Sequence, residues 1–100
     1  MVVIAGTITL DPAKRAAAVS AATDMMDATR KEPGCHSYTM SGDLADPGRF
    51  HIFEEWDSQA ALEAHFATPH TASFQAAVGG LGIREMRVQK YEIRSVGPIR

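Results

Sequence analysis

Residues 49–74 read RFHIFEEWDSQAALEAHFATPHTASF, and they hold a strand, a helix cap and a helix in immediate succession. Phe50, Ile52, Phe53 and Trp56 are the aromatic and β-branched side chains that suit a pleated surface, so Arg49 to Trp56 reads as a strand. Asp57-Ser58 offers side-chain oxygens to the unpaired amides of a first helical turn. Behind that cap, Ala61, Leu62, His65 and Phe66 recur at spacings of three and four and share one helical face. The only Trp of the chain therefore ends a strand, and a His follows it on the apolar face of the next helix.

Upstream, Cys35 to Asp43 reads as the partner strand, joined to Arg49–Trp56 by a hairpin loop over residues 44–48 with Asp-Pro-Gly turn chemistry. Pairing Asp43 with Gly48 sets Trp56 opposite Cys35, Glu54 opposite Ser37 and Ile52 opposite Thr39. In that register Trp56 and Glu54 face small residues, and the other face carries Tyr38, Met40, His51 and Phe53. Further upstream, Val2 to Leu10 alternates with apolar residues on both faces at its start, as in a strand covered on two sides. Asp11-Pro12 opens a helix that runs to Lys31, with Val19, Ala22, Met26 and Thr29 as its inward stripe. Glu32-Pro33-Gly34 ends it.

Downstream, the helix of residues 58–67 breaks at Thr68-Pro69 and resumes from His70 to about Val78. Gly79-Gly80-Leu81-Gly82 is a loop, Ile83 to Val96 a long last strand, and residues 97–100 a tail to a single domain of residues 1–96. The order β-α-β-β-α-β with right-handed crossovers is an α+β, ferredoxin-like arrangement: a four-stranded antiparallel sheet with its helices on one face. The uncovered face exposes apolar residues, which a two-fold homodimer stacking sheet on sheet would bury.

Composition narrows the function. Hydrophobic content of 45% and charged content of 22% are those of a folded domain. A net charge of −2 with scattered basic residues gives no electrostatic footprint for nucleic acid or an anionic membrane. No apolar run approaches the ~20 residues of a membrane span, and the first residues lack the basic segment of a signal peptide. A single cysteine, Cys35, forms no intrachain disulfide and fits a reducing, cytoplasmic setting.

Glu32-Pro33-Gly34-Cys35 followed by Tyr38, then Glu54-x-Trp56, Leu62-x-x-His65 and Thr68-Pro69-His70, resembles the antibiotic biosynthesis monooxygenase domain family over about the whole chain. The resemblance implies a dimeric α+β barrel of two ferredoxin-like subunits, each with a ligand pocket between sheet and helices. It also implies oxygenation of quinols, anthrones or other hydroxylated polycyclic aromatics by molecular oxygen, with no flavin, haem or metal cofactor. Haem-degrading relatives carry an Asn on the first strand beside a Trp and a His; Val2–Leu10 contains no Asn. Beside the oxygenase stands a second expectation, a non-catalytic dimeric barrel that binds a small hydrophobic ligand.

Within that frame His65 is the candidate proton acceptor, with Glu54 as a second carboxylate base whose pKa burial would raise. Trp56, Leu62 and Phe66 are candidate substrate contacts. Each has a plainer counterpart: His65 as a core histidine bonded to a carbonyl, Trp56 as ordinary core, Glu54 in a salt bridge with an Arg. His70, after Pro69, reads as a surface or capping residue. No His pair has metal-ligand spacing, so no metal site is expected. Cys35 reads as a buried inert thiol. The glycine run precedes a strand and cannot cradle a phosphate on a helix N-terminus.

Overall fold

A computed structural model describes residues 1–100. Its elements are β1 (Val2–Leu10), α1 (Arg15–Thr29), β2 (Cys35–Gly42), β3 (Arg49–Trp56), α2 (Gln59–Phe66), α3 (Pro69–Val78) and β4 (Ile83–Glu92). All strand pairs are antiparallel, in the order β2-β3-β1-β4. This is the expected ferredoxin-like sheet, with β1 in its middle and the helices on one face. No helix is long and apolar enough to cross a membrane.

Asp11 caps the chain's turn into α1 by accepting from the Ala13 amide at 3.0 Å, and a single 3₁₀ turn over Pro12–Lys14 precedes the α-helix. The inward stripe of α1 is Ala18, Ala22, Met25 and Thr29, not the Val19 and Met26 set expected from spacing, and Val19 is exposed. In a helix this rich in Ala two stripes compete, and the one with Ala18 lets the helix come closer to the sheet. Ser58 caps α2 as expected, accepting from Ala61. The last strand stops at Glu92, the last residue paired with β1, short of the expected Val96.

The hairpin register differs from expectation. Tyr38 stands opposite Glu54 and Met40 opposite Ile52, one residue from the predicted pairing. The loop is the cause. Asp43 accepts from the amides of Ala45 and Asp46, and Asp46 from that of Gly48, while the Asp43 amide bonds the Arg49 carbonyl. This side-chain-to-backbone turn chemistry makes the loop one residue longer. At the far end a bulge at His36 restores Cys35 opposite Trp56. Tyr38 and Met40 thus belong to the helix-covered face, and the outer face carries His51 and Phe53 with Val3, Ala5 and Tyr91.

Two apolar clusters fill the space between sheet and helices. One contains Val2, Met25, Tyr38, Ile52, Trp56 and Leu62; the other contains Leu10, Ala18, Phe50 and Leu81. Gly6 is required at the middle of β1, because a Cβ there would sit 1.9 Å from the Arg87 carbonyl oxygen.

Candidate functional site

Alternation along β3 turns Phe50, Ile52, Glu54 and Trp56 inward. Trp56 is fully buried and Glu54 is 6% exposed. The Trp56 indole N–H donates to Glu54 Oε1 at 2.9 Å. The Arg partner weighed for Glu54 is therefore absent, and an indole takes its place. Across the ladder stands Tyr38, also buried. Burial strips the Glu54 carboxylate of water and lifts its pKa from 4.5 to about 7; the indole N–H opposes that rise and the Glu32 charge adds to it. Tyr38 is pushed far above its usual value by burial first, then by the charges of Glu54, Cys35 and Glu32. Cys35 is raised likewise, by burial and then by Glu32 and Glu54.

The other wall comes from α2. Leu62 joins the Trp56 cluster, and the His65 ring lies 4.8 Å from that of Trp56 and 5.7 Å from that of Tyr38. His65 is 3% exposed. Its Nδ1 donates to Glu32 Oε2 at 2.6 Å, and His70 Nε2 donates to the same oxygen at 2.8 Å. His65 Nε2 takes part in no hydrogen bond within the chain. Gly34 fixes where Glu32 lies: its φ of +83° is one that glycine adopts without strain. The α2–α3 break is locked as well, since the Thr71 hydroxyl donates to the His65 carbonyl at 2.8 Å.

Glu54, Trp56, Leu62 and His65 therefore meet, as expected. Phe66 does not share their burial; it is 57% exposed, with its ring 5.8 Å from that of His65. Sequence reasoning missed three members. From sequence, Glu32 reads only as a helix end and His70 only as a surface or cap residue. The hairpin register expected from sequence puts Tyr38 on the opposite face, whereas it stands across from Glu54. The motif pieces Glu-Pro-Gly, Tyr38 and Thr-Pro-His were the available signal.

Glu32, His65 and His70 also present three metal-ligating atoms within 4.8 Å of one another. A test based on pairs of His missed the group, because Glu32 lies 33 residues from His65. The N···O separations of 2.6 and 2.8 Å are hydrogen-bond lengths, whereas ligands of a tetrahedral ion at ~2.1 Å stand roughly 3.4 Å apart.

Two cavities adjoin this cluster. One, of about 60 Å³, is lined entirely by apolar residues, among them Ile8, Met40, Phe50, Phe74 and Met86. The other is a cleft of about 330 Å³ lined by Asp24, Met25, His70, Ser73 and Phe74, with two alanines. Phe74 borders both, and with Met40 it also packs against the Trp56 cluster. Neither cavity is lined by Glu54, Trp56, Leu62, His65 or Phe66.

A ferredoxin-like sheet with these motifs on its inner face defines a class. The chain belongs to the antibiotic biosynthesis monooxygenase family, whose family model matches residues 1–77. It is 32% identical over 92 residues to "Uncharacterized protein sll1783" of Synechocystis sp., covering 92% of this chain and 63% of that protein. It is 37% identical over 67 residues to "Probable quinol monooxygenase YgiN" of Escherichia coli K12, covering 59% of this chain and 64% of that protein. The chain thus spans less than two thirds of the length of these curated relatives. A solved structure from Deinococcus radiodurans superposes with a TM-score of 0.91 at 31% identity, covering 100% of this chain and 99% of that one.

Proposed function

We propose that the chain is a cofactor-independent monooxygenase of quinols or hydroxylated polycyclic aromatics, working as a cytoplasmic homodimer. The observation that carries this reading is the cluster of titratable groups around Trp56, the buried Glu54 and His65 with the part-buried Glu32, which Phe74 and Met40 link to an apolar cavity. Family membership and the quinol in the name of the Escherichia coli relative support it.

In this reading His65 Nε2 takes a proton from the substrate hydroxyl, and Glu32 holds Nδ1–H so that the accepting nitrogen is the free one. Glu54, with a pKa near neutrality, is the second proton-transfer group. The phenolate passes one electron to molecular oxygen, and the radical pair combines in a carbon–oxygen bond. Cleavage of the resulting peroxide gives the oxygenated product. For a quinol the balance is one quinol plus O₂ giving one hydroxyquinone plus water, so the substrate is the only reductant. Trp56 and Phe66 supply aromatic contacts to the substrate and Leu62 an aliphatic one. Entry of a ring to His65 displaces Phe74 and Met40, which stand between the cavity and the Trp56 cluster.

The test is oxygen uptake by metal-free protein against quinols and anthrones, with His65→Gln and Glu54→Gln alongside. Turnover in the wild type, lowered about a hundredfold in His65→Gln, is expected. Uptake no faster than substrate autoxidation overturns the reading. The complete burial of Trp56 favours a second one, a non-catalytic barrel that binds a hydrophobic ligand. It predicts saturable quenching of Trp56 fluorescence by aromatic ligands without oxygen uptake.

A further inference from the structure

We propose that Glu32 and His70 are a proton exit for His65, connecting the buried imidazole to water in the cleft between α1 and α3. The purpose of that proton rests on the oxygenase reading; the connection itself does not.

A base that is 3% exposed must return its proton to solvent through its neighbours, or it serves once. Of the two ring nitrogens of His65, one is free and the other faces the Glu32 carboxylate. That carboxylate is itself only 11% exposed, so it too needs an outlet. Its oxygen is shared with His70, whose side chain is 25% exposed and lines the cleft. The exposed residues Asp24 and Ser73 form part of the same cleft. Exposure thus rises along the line from His65 to His70, and each link is of hydrogen-bond length.

The His70–Glu32 contact is held from both sides. Gly34 sets the turn that follows Glu32, and Thr68 caps α3 by accepting from the Thr71 amide, which places His70 in the first turn. The other charged or titratable groups around the line are Glu54 of β3, Tyr38 and Cys35 of β2, Arg30 at the end of α1 and Asp24 on the cleft. Glu54 accepts from the Trp56 indole, and Arg30 donates to the Tyr38 carbonyl and the Met26 sulfur. None of these groups bonds the Glu32 carboxylate, which leaves His70 as its one partner from the cleft.

The transfer balances without any further reagent. When His65 Nε2 gains a proton, Nδ1 releases one to Glu32 Oε2. The His70 proton that faces this oxygen from Nε2 first exchanges to Nδ1 through cleft water, and Nε2 then accepts the proton from Glu32. His70 then sheds a proton from Nδ1 to cleft water, which restores its Nε2–H tautomer. His65 is reset when its Nε2–H passes to the peroxide oxygen and the line runs in reverse to return a proton to Nδ1. His70 and Glu32 are positioning and relay residues that act through His65.

The experiment follows exchange of the His65 ring N–H with water in ¹⁵N-labelled full-length protein, in wild type, His70→Gln and Glu32→Gln, with thermal unfolding as the check on folding. His70→Gln changes a part-exposed side chain, so it remains informative if Glu32→Gln fails to fold. Exchange slowed about tenfold in folded His70→Gln, and restored by added imidazole, is expected. Unchanged exchange, or slowing that imidazole does not reverse, overturns the proposal. Oxygen uptake supplies the second arm. A fall of about tenfold in kcat for His70→Gln at constant KM, rescued by imidazole, supports the exit. A wild type that turns over and a variant that matches it overturn it. Relayed exchange in a wild type with no oxygen uptake leaves the exit standing and removes only the oxygenase reading.

Discussion

The indole N–H of Trp56 donates to the Glu54 carboxylate two residues earlier on the same face of β3. A carboxylate and an indole thus share one inner surface among Tyr38, Leu62 and His65, where water is excluded and an ionised carboxylate is disfavoured. Stability and chemistry are joined at this pair.

The pH dependence of stability follows. Below pH 4.5 Glu54 is protonated in both folded and unfolded chains. Between pH 4.5 and about 7 the unfolded chain has lost the proton while the folded chain keeps it. Stability therefore falls as pH rises across that window, by about 3 kcal/mol in all at ~1.4 kcal/mol per pH unit, and then levels off. Glu54→Gln, which keeps an acceptor for the indole, is expected to lack this slope and to exceed wild type at pH 8. Urea unfolding at several pH values measures it; parallel slopes would contradict the assignment to Glu54.

Thr29 carries a different burden. It is fully buried on α1 and its hydroxyl has no hydrogen-bond partner. Thr29→Val removes the orphaned hydroxyl at nearly constant shape and is expected to raise stability by about 1 kcal/mol. A lower midpoint in thermal unfolding would show that the hydroxyl has a partner in solution.

Gly34→Ala tests the turn that places Glu32. A non-glycine residue at φ +83° is strained, and the added Cβ would lie 2.7 Å from the Ala61 Cβ on α2. The cost is about 2 kcal/mol or more, or roughly 10 °C in Tm for a chain of this size. The chemical shift of the His65 ring should move as well, because Glu32 and α2 are pushed apart. A variant as stable as wild type would mean that the turn adjusts freely.

The outer face of the sheet presents Phe53, 43% exposed, and Tyr91, 48% exposed, near Val3 and Ala5. As the proposed dimer interface, it should lose its self-association in Phe53→Arg. Sedimentation of the wild type as a dimer and the variant as a monomer is the expected result. A wild type that sediments as a monomer at micromolar concentration refutes the interface.

Local signals proved reliable where residue chemistry was distinctive. The bounds of β1 and β3, the Asp11 and Ser58 caps and the meeting of Trp56 with His65 all follow from short-range pattern. The hairpin register was not legible, because it depends on where the Asp43 and Asp46 side chains bond inside the loop. Tyr38 was assigned to the wrong face for the same reason. In α1 the abundance of alanine left two stripes equally plausible, and packing against the sheet chose between them. Glu32 was invisible as a site residue because its partners lie 33 and 38 positions away, beyond any local window.

The central place of β1 has a consequence for how the chain is made. Val2–Leu10 leaves the ribosome before either of its two neighbours in the sheet, residues 49–56 and 83–92. Residues 49–56 must be synthesised before one edge of β1 is paired, and residues 83–92 before the other is. During that interval an apolar strand with two open edges is exposed to other nascent chains. Collapse to the native state must then close long loops, which slows it relative to a helical bundle of equal length. A slow, late folding step and a need for shielding during translation are built into this strand order.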